Sequence, residues 1–93
     1  MEQDDIREWM GDQGSEGAYL ADGFEDAFVG CVDVFGVDGV LAVYDEEKYM
    51  EILMIKNEWT ADEAIEWFEY STLAGRSDPR DPVFIKFHPD QVA

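Results

Sequence analysis

Two short, almost wholly apolar runs interrupt the polar background of the chain. Residues 40–44 (VLAVY) lie between Gly39 and Asp45, which predicts a buried strand. Residues 83–87 (VFIKF) place apolar Val83, Ile85 and Phe87 in alternation, which predicts a second strand. No other apolar run of strand length lacks helical spacing, so we expect these two strands to pair in a two-stranded sheet covered by helices.

A helix is predicted directly after the first strand. Asp45 is placed to cap it, Glu46 and Glu47 occupy its first turn, and Lys56 lies in its last turn before Asn57. Tyr49, Ile52, Leu53 and Lys56 share one face of this helix, with Met50 and Met54 beside it.

The segment that follows carries the strongest local signal in the sequence. Thr60 and Glu63 have the spacing of a capping box, in which the hydroxyl accepts from the Glu63 amide and the carboxylate reaches back. This pattern predicts a helix from Thr60 to about Leu73, ended by Gly75. The residues expected to face inward are Ala64, Ile65 and Phe68.

The segment before the first strand has an apolar repeat at i, i+3, i+4, i+7, i+8 and i+11. This spacing predicts a helix over about residues 22–35, with Asp22 as its cap and Gly36 at its end. The alternative is a strand and hairpin, because FVGCVDVF is rich in Val and Phe and GVDG can form a turn. Strict alternation would leave no clean polar face, so we favour the helix. The predicted stripe comprises Phe24, Ala27, Phe28, Cys31, Val32 and Phe35.

The N-terminal part of the chain is polar and acidic. Ile6, Trp9 and Met10 have the spacing of a short helix, and the GDQGSEG stretch that follows is typical of a flexible connector. We therefore divide the chain into an acidic flexible segment at 1–17, an α+β domain at 18–88 and a tail at 89–93. The predicted order is helix, strand, helix, helix, strand, with the short N-terminal helix in front.

Charge is the unusual property of the composition. The 93 residues include 23 acidic and 6 basic side chains, which leaves a net charge of −17. Such a surface repels nucleic acid phosphates and anionic membranes, so the electrostatically favoured partner is a positively charged protein. The 14% of aromatic residues distinguishes the chain from disordered acidic sequences and predicts that it folds.

Little in the sequence predicts catalysis or metal binding. There is one histidine, His88, and one cysteine, Cys31, so an internal disulfide and most zinc sites are excluded. We expect His88 in an exposed tail and Cys31 as a buried, inert thiol. No signal peptide or membrane span is evident, and we expect a non-enzymatic cytoplasmic protein without a cofactor.

The acidic residues form a pattern on the predicted capping-box helix. Asp62, Glu66 and Glu69, at i, i+4 and i+7, line one side, where carboxylates four residues apart are neighbours. A solvated outer face is the simplest interpretation, but it leaves the scarcity of Lys and Arg unexplained. Trp59 and Trp67 are interpreted as core or rim packing. The residues predicted to bind a basic partner are Asp45, Glu46, Glu47, Glu58, Asp62, Glu63, Glu66 and Glu69.

Four segments carry a resemblance: GFEDAFVG at 23–30, VYDEEKYMEILM at 43–54, TADEAIEWFEY at 60–70 and PVFI at 82–85. Their order and spacing over about two thirds of the chain resemble a family of small acidic proteins of bacteria and of bacteriophages or prophages. The resemblance implies a small intracellular or phage-borne protein, and it implies no catalytic residues.

Three hypotheses for the function follow. The first is an interaction protein that mimics nucleic acid and blocks a basic groove, for example a phage inhibitor of a host defence complex such as an anti-CRISPR protein. The second is a halophilic protein whose acids serve solubility in salt. The third is a small structural or regulatory domain with incidental acidity. We favour the first hypothesis. The sequence does not decide whether the protein forms a homodimer.

Overall fold

The structure is a computed structural model that describes residues 2–15, 17–36, 38–70 and 78–91. Within these ranges it contains three α-helices and one mixed sheet of three strands. This confirms the predicted α+β class, with one strand more than expected. In chain order the elements are α1 (Gln3–Asp12), β1 (Phe28–Asp33), β2 (Val40–Asp45), α2 (Glu46–Asn57), α3 (Ala61–Phe68) and β3 (Val83–Ile85), with 3-10 turns at Glu25–Ala27 and Pro89–Gln91.

Strand β2 is the centre of the sheet, whose order is β1-β2-β3. It runs antiparallel to β1 and parallel to β3, with Val43 opposite Val83 and Tyr44 opposite Phe84. Residues 40–44 are all buried, which means that β2 is covered on both faces of the sheet as well as paired on both edges. The predicted pairing of the two apolar runs is confirmed, although β3 ends at Ile85 and leaves Lys86 and Phe87 of the predicted strand 83–87 outside it. The parallel direction follows from the crossover through α2 and α3.

The predicted helix at 22–35 is wrong. A 3-10 turn at Glu25–Ala27 leads into β1, which forms a hairpin with β2. The register shifts between Phe28 and Gly30, and Gly30 has a φ of 157°. Glycine costs about 1 kcal/mol inside a helix but suits a β-bulge, so the residue that weakens the helix is used by the strand. The helical stripe accordingly separates: Ala27 is buried, Cys31 is half-buried in the strand, and Phe35 is fully exposed.

Helix α1 packs on the rest of the domain. Ile6 and Met10 are almost completely buried in the same hydrophobic core as β2. The ring of Trp9 contacts that of Phe28 edge-on, with 5.9 Å between the ring centroids. Ile6 and Met10, which lie in the segment 1–17 that was predicted to be flexible, therefore contribute to the hydrophobic core.

Helices α2 and α3 begin where the capping signals predicted. The Asp45 carboxylate accepts from the Glu47 amide at 3.1 Å, and the capping box between Thr60 and Glu63 is complete. Helix α2 ends at Asn57 as predicted. Helix α3 is followed by a π-helical turn at residues 69–70, and its predicted end near Leu73 and Gly75 lies outside the described residues.

Aromatic packing fixes α3 against the sheet. Phe68 is 1% exposed. The centroid of its ring lies 5.0 Å from that of Phe84 in β3 and 5.6 Å from that of Tyr49 in α2, and both contacts are edge-on. Tyr49 also stacks on Phe24 at 3.9 Å. Phe68 therefore anchors the C-terminal part of α3 to the sheet, and the capping box defines where the helix begins.

Candidate protein-binding surface

Helix α3 is a ridge with a buried inner side, an exposed outer side and two flanks of different chemistry. Its inner side is buried through Ala64 and Phe68. Asp62 and Glu66 of α3 lie exposed on the outer side, and Glu69, in the turn that directly follows, is also exposed and keeps helical φ and ψ. At about 100° a residue the three span an arc of about 60°. We call these three residues the acidic crest. The predicted solvent-facing row of carboxylates is thus present on the ridge.

The crest is separated from the few basic side chains that the structure describes. Lys86 lies 3.8 Å from Glu46, Lys48 lies 4.0 Å from Glu51, and Arg80 lies 3.3 Å from Asp78. Lys56 lies over the ring of Phe24 at 5.2 Å. Within residues 2–15, 17–36, 38–70 and 78–91, no ion pair reaches the crest, so its charges add rather than cancel.

One flank of the ridge is an apolar groove of about 410 Å³ between α3, α2 and the residues after β3. Ile65 was expected to face inward, but it is 46% exposed at this groove, and Phe87 is 44% exposed. Ile65 lies about 60° around the helix from Phe68, which is enough to turn it off the buried side. The apolar groove is lined by Met50, Met54, Ala61, Ile65 and Phe87, with Glu46, Glu47 and Lys86.

The apolar groove brings two predicted groups of acids to one surface. Glu46 and Glu47, from the start of α2, line it together with residues of α3. Asp45 is half-buried and holds the start of α2 through its cap, so its carboxylate is engaged within the fold. Glu58 ends α2 in the left-handed region, at φ 55° and ψ 41°.

The opposite flank of the ridge is a groove of about 370 Å³ lined by Trp59, Trp67, Tyr70, Glu63 and Glu66, which we call the aromatic groove. The two indole rings lie 6.1 Å apart at an angle of 45°. Trp59 is half-buried against the core, as expected of packing, whereas Trp67 is 38% and Tyr70 82% exposed. The sequence offered only the spacing of the two tryptophans as a signal for this groove.

The Glu63 carboxylate at this groove is held in place. Its Oε1 accepts from the Thr60 amide at 3.0 Å and from the Thr60 hydroxyl at 3.1 Å. A residue that was predicted to contact a partner therefore also secures the start of α3. Its negative charge has a defined position beside the tryptophans, whereas the crest carboxylates are held by no hydrogen bond in the described residues.

No metal centre is built from the described residues: no three or more His, Cys, Asp or Glu side chains among them are grouped to hold an ion. His88 is exposed, as expected. None of the described charged side chains is buried. In the part of the chain that the structure describes, no helix is both long and apolar enough to cross a bilayer.

Comparison with known proteins gives no relative from which a role could be transferred. No protein-family model, no curated protein and no solved structure matches the chain.

Proposed function

We propose that the protein is a non-enzymatic interaction protein that binds a basic, nucleic-acid-binding surface of another protein in place of nucleic acid. The observation that carries this proposal is the acidic crest, which is exposed, free of ion pairs with the described basic residues, and carried by a helix that Phe68 packs against the sheet. A preorganised charged surface mainly increases association rate and selects partners of opposite charge.

The spacing of the crest charges indicates what is mimicked. Asp62 and Glu69 are seven residues apart, or about 10 Å along the helix axis, which gives one charge for about 5 Å. One strand of DNA carries a phosphate every ~3.4 Å, and the duplex one charge for ~1.7 Å. The crest therefore resembles a single phosphate backbone at somewhat lower density, and a groove that tracks one strand is the fitting target.

We infer the class of target from the resemblance of the four sequence segments to small acidic phage proteins, for which the comparisons gave no matching relative. If the protein is phage-borne, it gains from blocking host complexes that bind nucleic acid, so we propose a defence effector, for example a CRISPR complex, as the partner. Binding would exclude DNA or RNA from the basic groove by direct competition.

The test uses two variants with the same charge change in different places. Asp62, Glu66 and Glu69 are changed to Lys in the crest variant, and the exposed Asp4, Glu8 and Asp12 of α1 are changed to Lys in the control. Each variant shifts the net charge by roughly six units, two for every substitution. All six positions are exposed and Lys favours helix, so we expect both variants to fold.

Immobilised wild-type protein is exposed to a bacterial lysate. The column is then eluted with duplex DNA or single-stranded RNA, and the proteins released in this way are purified for measurement. We expect association of the purified partner with the crest variant to slow at least about tenfold, while the control stays within about threefold of wild type. Binding of wild type should weaken as salt rises. If nucleic acid displaces no retained protein, or if both variants bind like wild type, the proposal is wrong.

A further inference from the structure

The aromatic groove combines exposed rings with carboxylates, which core packing does not explain. A large aromatic side chain gains stability by leaving water, yet Trp67 and Tyr70 keep much of their surface exposed. Glu63 and Glu66 line the same groove. Indole faces attract cations through the ring quadrupole, and nearby carboxylates add to that attraction.

The groove has the size and rigidity for one side chain. Its volume of about 370 Å³ is at the small end of ligand sites, which begin at about 300 Å³. Trp59 is packed against the core, and Glu63 is held by Thr60 through two hydrogen bonds. One ring and one carboxylate are thus fixed before any ligand arrives, which reduces the entropy lost on binding.

We propose that the aromatic groove binds an arginine side chain of the basic partner, an inference that rests on the proposed function and adds a specific contact to it. The planar guanidinium stacks on aromatic faces, is weakly hydrated, and presents a fork of donors to a carboxylate. The inclined rings of Trp59 and Trp67 offer the stacking surface, and Glu66, which belongs to the crest and also lines the groove, offers the acceptor.

Other occupants fit the groove less well. A lysine ammonium is compact and strongly hydrated, so it gains less from an open aromatic surface. A nucleic acid base could stack on the indoles, but its phosphates would meet Glu63 and Glu66, and stacking sites for nucleic acids normally carry basic residues.

The test follows the indole N–H signals of Trp9, Trp59 and Trp67 by NMR during titration with blocked tripeptides at constant ionic strength. The peptides are acetyl-Gly-Arg-Gly-amide, its lysine analogue, and its citrulline analogue, which keeps the shape of arginine without its charge. We expect the arginine peptide to shift the Trp59 and Trp67 signals with a Kd on the order of millimolar. The lysine peptide should bind several-fold more weakly and the citrulline peptide should cause little change.

Trp9 is the internal control: it is 42% exposed, shares a pocket with Asp5 and Phe28, and does not line the aromatic groove, so it tests whether any exposed indole near a carboxylate responds. Two variants locate the site. Trp67→Leu should raise the Kd for the arginine peptide about tenfold, and Glu66→Gln should raise it about threefold while leaving both rings in place. Should Trp67→Leu fail to fold, Glu66→Gln still tests the contribution of the carboxylate.

The proposal is overturned if the indole signals of Trp59 and Trp67 do not shift with the arginine peptide at 50 mM, which is about ten times the expected Kd or more. Equal responses to the citrulline or lysine peptide, or an equal response of Trp9, would overturn it too. A failed titration combined with loss of partner binding in the crest variant would remove the arginine site and leave the proposed function standing. If the arginine peptide binds but nucleic acid displaces no retained protein, the arginine site stands and the proposed function is wrong.

Discussion

The backbone amide of Ala21 donates a 2.8 Å hydrogen bond to the hydroxyl of Tyr44. Tyr44 lies in the central strand β2 and is 1% exposed, and its ring contacts those of Phe28 and Tyr49 edge-on. Burial raises the pKa of the Tyr44 hydroxyl, although the hydrogen bond from Ala21 acts in the opposite direction. The contact joins the chain that precedes β1 to the middle of the sheet.

Removal of this hydroxyl should destabilise the fold with little change in shape. In Tyr44→Phe the half-buried Ala21 amide loses its acceptor, so we expect the free energy of unfolding to fall by about 1–2 kcal/mol. Tyr70→Phe is the matched control, because Tyr70 is 82% exposed and should change stability by less than about 0.5 kcal/mol. Urea unfolding measures both, and equal effects would show that the Ala21 contact contributes nothing.

The left-handed end of α2 offers a stabilising substitution. Glu58 has φ 55° and ψ 41°, a conformation that glycine adopts at lower cost than residues with a Cβ atom. We expect Glu58→Gly to raise the free energy of unfolding by about 0.5–1 kcal/mol relative to Glu58→Gln. The glutamine variant removes the same charge while keeping the side chain, so the comparison isolates the backbone. Equal melting temperatures for the two variants would contradict a strained helix end.

Asp78 links the segment before β3 to Tyr19 and should give the fold an acid-sensitive contact. Hydrogen bonds from the Arg80 side chain, then from its backbone amide, lower the Asp78 pKa from 3.8 to about 2. Tyr19 also donates to this carboxylate at 3.1 Å. Since the folded state favours the ionised form, the contribution is complete above about pH 4 and is lost as the pH falls towards 2.

The pH dependence can be isolated with Asp78→Asn. Wild type should be more stable than this variant at pH 7, and the difference should shrink between pH 4 and about 2, where the Asp78 carboxylate of wild type becomes protonated. Asp38→Asn, at an exposed position of the β1–β2 turn, controls for the loss of one charge. A difference that stays constant down to pH 2 would show that ionised Asp78 does not contribute to stability.

The parts of the fold that the sequence predicted are those specified by local chemistry. The caps of Asp45 and Thr60 depend on residues within three positions, and the buried strand β2 depends on a continuous apolar run. Strand β1 depends instead on pairing with β2 and on the bulge near Gly30, which is a tertiary property. Its apolar repeat satisfied a helical period by coincidence, because Ala27 and Phe28 belong to a turn and the beginning of a strand.

On the surface, too, the sequence predicted the features that depend on local spacing and missed those that depend on packing. The exposure of Asp62, Glu66 and Glu69 follows from their spacing on a helix whose start the sequence defines. The two grooves do not follow from spacing, because each depends on how far α3 lies from its neighbours. Ile65 shows the difference: it was assigned to the inner side of α3, but lies at the gap between α3 and α2.

Salt dependence of folding separates a binding role for the acidity from adaptation to concentrated salt. If the acids serve binding, burial of the core outweighs their repulsion, and wild type should melt cooperatively in 0.05 M salt at about 45–65 °C, as mesophilic domains do. If they serve adaptation, the domain should loosen at low salt, because the Debye length grows from about 3 Å at 1 M to about 10 Å at 0.1 M.

The crest variant makes this measurement quantitative. The three lysines of the crest variant repel one another as the three acids did, but they reduce the magnitude of the net charge of −17 and lie beside acids that remain, such as Glu58 and Glu63. The variant should therefore raise the melting temperature by a few degrees in 0.05 M salt, about what a gain of a few tenths of a kcal/mol for each new pair produces. In 2 M salt the gain should nearly vanish, because screening removes the repulsion that the substitution relieves. Thermal melts of wild type, crest variant and α1 control at both salt concentrations provide the comparison. If wild type folds only in 2 M salt, the acidic residues serve adaptation to concentrated salt and not the binding of a basic partner.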